Sequence, residues 1–329
     1  MTPCCNWDNS LSAHLTIKDR LGSWKARWSI GRMDYSMSPG LYTIGCPDEH
    51  SSVLVTSNYK MTVDRVRKNL GGRDLWLLIL DTDGINVWCA AGKGTFGTDE
   101  LISRIDKAGL SEKVVHRDLI LPQLSATGVS AHEVRKRSGY QVTYGPVRAE
   151  DIPYFLDNGM RVKPSMRKVG FSLLDRLVLT PMEIVIAMEL MLKVFGVLAI
   201  LHAIGILPIE RADYLGLLGS LFMGTFVAPM FLPWLPGSAF SFKGMITGLI
   251  WGISVVLFLF FKGSPNYLQL FSYLLILPSM SAFFSMNFTG SSTYTSLSGV
   301  EKEMKIALPL IVIALAAGAL IRIASFFIS

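Results

Sequence analysis

Beyond Pro181 the chain consists almost entirely of Leu, Ile, Val, Phe, Met, Ala and Gly, in five runs at about 182–208, 214–235, 242–261, 267–287 and 304–328. Each run is near or above the ~20 residues a helix needs to cross the hydrocarbon core of a bilayer. In lipid only a helix or a closed barrel satisfies its own backbone, so residues 182–329 are expected to be an all-α transmembrane domain of five helices. Pro229 and Pro233 should kink the second span. Glu183, Glu189 and Lys193 place the opening turns of the first span at the interface or against protein. Gly216, Gly219 and Gly224 offer a small-residue face through which two copies can dimerise.

The mean hydropathy of +0.41 averages two unlike halves, because residues 1–180 carry most of the charge. The chain has 31 basic and 25 acidic residues, but the basic ones form no run interleaved with aromatics, so nucleic acid is not an expected partner. They gather instead before the first span, at Arg161, Lys163, Arg167, Lys168 and Arg176, as a cytoplasmic juxtamembrane segment does. Lys243, Lys302 and Lys305 fall on the same side, Arg211 and Lys262 on the other. Four cysteines, Cys4, Cys5, Cys46 and Cys89, imply no disulfide framework and fit a reducing compartment. Met1–Ser10 lacks the pattern of a cleavable signal peptide. The expected location is the inner (cytoplasmic) membrane, with the N-terminal domain in the cytoplasm.

Residues 1–50, with Trp7, Trp24 and Trp28, show no clear period and read as an arm packing on the domain. Ser38–Tyr42 and Gly45–Pro47 are turn signals. From 51 to 160 strands alternate with helices. Ser52–Thr56, Leu75–Leu80, Val114–Val115, Leu119–Leu121 and Tyr140–Tyr144 are the strand candidates. Thr62–Leu70, Asp99–Ala108, Ser130–Ser138 and Glu150–Leu156 are the helices. This order indicates an α/β, Rossmann-like domain with a mainly parallel sheet, whose ligands bind at the carboxyl ends of the strands. Thr56–Lys60, Asp81–Thr98 and Leu121–Gly128 are all strand exits. Residues 161–181 form a basic linker.

The most informative exit is Asp81–Thr98, where four glycines surround one cysteine. Asn86 can cap a helical turn over Val87–Ala91 that Gly92 ends. Cys89 then sits in the first turn, where the helix dipole favours a thiolate. Gly92-Lys-Gly-Thr95 is not a Walker loop, since Val87 and Gly94 occupy the places that need Gly and Ser or Thr. His116 and His132 have no zinc-type spacing to Cys89. The residues alone leave Cys89 open between a small core side chain and a thiolate serving a metal that brings its other ligands in a macrocycle.

The octapeptide Asn86-Val-Trp-Cys-Ala-Ala-Gly-Lys93 resembles the signature of the corrinoid protein of bacterial mercury methylation. The likeness extends through Val53–Lys60, Leu80-Asp81, Gly94–Thr98, His116-Arg117, Ile120–Gln123 and Tyr144–Arg148, and the five spans also match. More distantly, the soluble domain is similar to the corrinoid domain of the corrinoid iron–sulfur protein of acetyl-CoA synthesis. The resemblance implies a cobalamin-type corrinoid with Cys89 as the axial ligand to cobalt. It implies a methyltransferase that passes a methyl group from Cys-ligated methylcobalt(III) to Hg(II), is reduced to Co(I), and is re-methylated by a donor such as methyltetrahydrofolate. The implied electron donor is a ferredoxin-like protein with two [4Fe–4S] clusters. Expected cofactor contacts are Thr56, Asn58 and Thr62 at the first exit. At the second they are Asn86, Val87, Trp88, Cys89, Ala90, Ala91, Gly92, Lys93, Gly94 and Thr95, and at the third Leu121, Pro122 and Gln123. A methyl carrier of one-carbon metabolism is the alternative, and a membrane transporter with a cytosolic sensor domain the third reading.

Overall fold

A computed structural model describes residues 9–263, 266–291 and 297–327. Cys4 and Cys5 lie outside the described residues. The chain divides into two compact units, one of residues 1–26 and 30–169 and the other of residues 27–29 and 170–329.

The first unit opens with helix α1 (Ile17–Arg27) and strand β1 (Gly40–Ile44). Neither was expected from the sequence, which reads this region as an aperiodic arm with turn signals. The alternation then follows in order. Strand β2 (Val53–Ser57) leads to α2 (Lys60–Asn69), β3 (Leu75–Leu80) to α3 (Val87–Lys93) and α4 (Thr98–Lys107), and β4 (Asp118–Leu121) to α5 (Ala131–Ser138). Strand β5 (Gln141–Tyr144) and helix α6 (Ile152–Asp157) close the unit. Val114–Val115 is not a strand; it lies in the connection before β4.

The sheet order is β1-β3-β2-β4-β5, with β2–β3, β2–β4 and β4–β5 parallel and β1 antiparallel at the edge. All six residues of β3 are buried, as a parallel strand covered on both faces requires. Trp76, Leu78 and Leu80 point into one core with Val87, Ala90, Phe96, Leu101 and Ile105. Leu75, Leu77 and Ile79 point into the other, against Val63, Val66, Leu70 and Phe155. Chain progression reverses direction between β2 and β4, so the crevice for a ligand opens beyond the carboxyl ends of those two strands.

The second unit is helical. Helix α7 (Leu173–Ala203) begins well before the apolar run at 182, because Ser172 and Asp175 form a reciprocal capping box. The last turns of the expected linker are therefore helix, and Pro181 lies inside it. Helix α8 (Arg211–Phe222) passes through a π turn (Met223–Val227) into α9 (Ala228–Phe231). The expected kink in this span takes the form of that widened turn, just before Pro229, whose nitrogen cannot donate to the ladder. Helices α10 (Phe240–Phe261), α11 (Tyr267–Asn287) and α12 (Leu297–Phe327) complete five segments long and apolar enough to cross a membrane.

The proposed dimer face of small residues is used within the bundle. A Cβ at Gly219 would run into the Trp251 indole, one at Gly224 would meet Ser281 and Phe284, and one at Gly216 would lie 3.2 Å from Leu277. These glycines let this span approach α10 and α11, so their close packing is within the chain. Arg322, recognised in the sequence, has a partner that was not: Asp213 on α8. Arg322 Nε and Nη2 donate to the two Asp213 oxygens at 2.9 Å each, and the Tyr273 hydroxyl donates to Asp213 at 2.8 Å.

Candidate cofactor-binding site

The site is built on the loop between β3 and α3. Asn58, just past β2, holds that loop with its side chain. Its amide oxygen accepts from the Thr82 N–H (3.2 Å), the Thr82 hydroxyl (2.8 Å) and the Gly84 N–H (3.0 Å), while its NH2 donates to Asp81 (3.2 Å). Asn58 was expected to meet a cofactor directly. Its amide oxygen is fully engaged by the chain and one of its two N–H donors is used, so Asn58 shapes the loop that leads to Cys89.

Asn86 caps α3 as the sequence predicts, accepting from the Cys89 N–H at 3.0 Å. The helix ends two residues later than expected, at Gly94 (φ 86°) rather than Gly92. It lays Val87, Ala90 and Ala91 on the core and presents Trp88, Cys89, Gly92 and Lys93 to solvent. The side chains of Val87, Ala90 and Ala91 therefore face the core, as does that of Leu121, which is fully buried at the end of β4. Beneath the helix, Gly128 comes so close that a Cβ there would meet the Phe96 carbonyl and lie 3.0 Å from the Ala91 Cα. The loop after β4 thus buttresses α3 by direct backbone contact.

Among the described residues, the buried side-chain oxygens without a hydrogen-bond partner include Ser57 Oγ, Thr95 Oγ1 and Gln123 Oε1. They belong to the exit of β2, the loop after α3 and the exit of β4, which parallel pairing brings to one end of the sheet. Buried polar atoms left this way cost stability unless something completes them. Thr95 and Gln123 were expected site residues; Ser57 was missed, although its place as the last residue of β2 was the signal. Thr56 is buried at the same strand end, and Thr62 is half-buried in the first turn of α2. Pro122 is half-buried beside Gln123.

These features suit a large, amide-rimmed macrocycle. Cys89 offers a soft donor, Gly92 and Gly94 have nothing within 4 Å of an added Cβ, and the orphaned oxygens can accept from carboxamide groups. Among the described residues, no three His, Cys, Asp or Glu side chains gather as a metal-binding group. His116 is turned toward the Ser51 carbonyl at 3.0 Å.

Fold and site together define an α/β domain that presents an exposed cysteine, Cys89, in the helix that follows the central strand β3. Residues 30–156 match the family model described as CO dehydrogenase/acetyl-CoA synthase delta subunit. The chain is 34% identical over 128 residues to the acetyl-CoA decarbonylase/synthase complex subunit gamma of Methanopyrus kandleri, covering 38% of this chain and 27% of that protein. The gamma subunits of Methanocaldococcus jannaschii and Methanosarcina acetivorans are 31% and 33% identical over 129 and 130 residues. These matches cover 39% and 38% of this chain and 26% and 27% of the relatives. The chain thus spans about a quarter of the length of these relatives, and the family match lies within the first unit. It supports the kinship with the acetyl-CoA pathway protein that the sequence suggested. It says nothing of mercury.

Proposed function

We propose that this chain is a membrane-anchored corrinoid protein of methyl transfer, with Cys89 as the axial ligand to cobalt and Hg(II) as the methyl acceptor. The observation that supports the corrinoid assignment is the exposed Cys89 on the Asn86-capped turn of α3, at the end of the sheet where Ser57, Thr95 and Gln123 leave buried oxygens unpaired. When bound, the corrinoid supplies a cobalt centre able to carry a methyl group. The protein's own part is to hold and to orient. Asn86 and the buttress at Gly128 fix α3, and Cys89 would hold the cobalt through its sulfur. Ser57, Thr95 and Gln123 would accept hydrogen bonds from ring amides, Trp88 would lend an aromatic face beside the sulfur, and Lys93 would serve a peripheral amide or phosphate. A thiolate would be a strong, soft donor to the bound metal.

Hg(II) as acceptor rests on the octapeptide Asn86–Lys93 and on the five apolar helices. The matched relatives favour the other reading more directly, that of a methyl carrier in one-carbon metabolism using the same cysteine and crevice. Both readings call for a methyl donor such as methyltetrahydrofolate, a ferredoxin-like reductant and residence in the inner membrane with the first unit in the cytoplasm.

Anaerobic reconstitution of the purified full chain with cobalamin tests the common core. We expect a thiolate-ligated cobalt absorbance band that disappears in Cys89→Ala; failure to take up corrinoid sinks both readings. Incubation of the loaded protein with Hg(II) and a reduced two-cluster ferredoxin then separates them. Methylmercury formation dependent on Cys89 supports the first, and corrinoid binding without methylmercury leaves the carrier.

A further inference from the structure

Helix α1 is inside out. Its inward face carries Asp19, Gly22 and Ala26, whereas Ile17, Leu21 and Trp24 stand outward at 78%, 54% and 56% exposure. The segment that follows adds Ile30 and Met33, at 58% and 70%. The spacing 17, 21, 24 is one stripe of a helix, so these side chains form a face rather than a scatter.

The rotation that holds this stripe outward is fixed by ion pairs. The Asp19 carboxylate lies 2.7 Å from Lys60 Nζ and 2.7 Å from Arg67 Nη2, both on α2. The Tyr35 hydroxyl donates to the Asp19 carbonyl at 3.1 Å, and a Cβ at Gly22 would come within 2.6 Å of the Tyr35 ring. Turning the apolar face inward would bury the stripe only by breaking this charged cluster, which a half-buried site penalises heavily. The helix is therefore clamped with its apolar side to the outside.

The charges around the stripe choose the occupant. Lys18, Arg20 and Lys25 are exposed on α1, while the acidic Asp19 is turned inward. An apolar stripe flanked by cations fits the boundary between headgroups and acyl chains of an anionic leaflet. Protein interfaces, by contrast, are depleted in lysine. The same chain carries five helices able to cross a membrane, and Lys163, Arg167 and Lys168 precede the first of them.

We propose that α1 is an interfacial helix, with Ile17 and Leu21 inserted in the cytoplasmic leaflet and its cations on the lipid headgroups. This inference rests on the reading that the five helices span the bilayer, and the test reports on the two separately.

The full chain, with Cys4, Cys5 and Cys46 changed to Ser and Cys89 to Ala, is labelled with an NBD fluorophore at Ile17→Cys, Leu21→Cys or, on exposed α4, Lys107→Cys. It is placed in nanodiscs of phosphatidylcholine and phosphatidylglycerol that contain doxyl-labelled lipid. Co-elution with the nanodisc reports the spanning helices; quenching reports α1. We expect several-fold stronger quenching at positions 17 and 21 than at 107, weakening when phosphatidylglycerol is omitted. A blue-shifted but unquenched label at 21 would mean that a second copy covers the stripe. A solvent-like label there would mean an uncovered face. Either result overturns the proposal, whether or not the chain enters the disc.

Discussion

The Asn86 side-chain oxygen accepts from the backbone N–H of Cys89 at 3.0 Å, so the residue that starts α3 also fixes the turn that carries the exposed cysteine. Replacing Asn86 with Ala removes a cap worth about 1 kcal/mol. If Cys89 meets the cofactor as proposed, the loosening should be felt in ligand binding. Asn86→Ala should weaken corrinoid binding about fivefold, the factor that about 1 kcal/mol corresponds to, whereas Asn86→Asp, which keeps the acceptor, should bind nearly as the parent does. Titration of the cobalt-ligation band would measure both.

Asn58 should be less tolerant of the same conservative change. Asn58→Asp keeps the oxygen that serves Thr82 and Gly84 but loses the NH2 that donates to Asp81 at 3.2 Å. Two carboxylates would then face each other at a buried position, at a cost of about 1–3 kcal/mol for the lost partner alone. The expected result is a lowered thermal midpoint for the soluble unit and weaker corrinoid uptake. Raised acidity should partly restore stability by protonating one of the pair.

Asp19 gives the anchoring of α1 a pH dependence. Burial opposes ionisation of its carboxyl, but hydrogen bonds from Lys60, Thr16 and Arg67 outweigh burial and hold its pKa well below the usual carboxylate range. A depressed acid stabilises the fold fully above its unfolded pKa of about 3.9, and that contribution fades as pH falls toward the folded value. The stability difference between the parent and Asp19→Asn should therefore be constant from about pH 7 down to about pH 5 and shrink below about pH 4. Limited proteolysis at the α1–β1 connection, followed across that range, reads the difference directly.

In the helical unit the Asp213–Arg322 pair should show strong coupling. Removing one member strands the other in the bundle, which costs about 3–5 kcal/mol, while an apolar pair of similar size can restore most of it. Arg322→Met and Asp213→Leu should each lower the thermal midpoint in detergent sharply. The double variant should recover a large part of the loss. Additive losses would mean that the two residues do not act together.

Regularity made the centre of the α/β unit and the five apolar helices easy to read. Six consecutive apolar residues at Leu75–Leu80 can scarcely be anything but a buried strand between turn signals, and Asn86 and Ser130 announced their helices as caps. The N-terminal helix escaped for a physical reason. Pattern reading assumes that apolar residues face the core, and α1 places Asp19 and Gly22 there instead, held by charges supplied from Lys60 and Arg67 some forty residues on. Strand β1 was hidden because its pairing with β3 is non-local, and Ser38-Pro-Gly40 reads as a turn before it reads as the approach to an edge strand.

At the site, the sequence located Cys89 and its cap but could not tell which neighbours are free to meet a ligand. That depends on who else claims their hydrogen bonds. The Asn58 oxygen is fully claimed by the loop, while those of Thr95 and Gln123 are not, and nothing in their residue types distinguishes the cases. The glycines of α8 failed similarly. A small residue marks close approach, but only the fold says whether the neighbour is Trp251 of the same chain or another molecule.

The order of elements along the chain also sets a schedule for synthesis. Strand β5, the last of the sheet, ends at Tyr144, and the first membrane-length helix is not complete until Ala203. At ~5–20 residues per second the ribosome takes several seconds to cover that interval, ample time for a small domain to close its sheet. The α/β unit can thus close its sheet before the first long apolar helix is complete. If Cys89 serves a cofactor as proposed, its loop would be in place while the apolar helices are still being made.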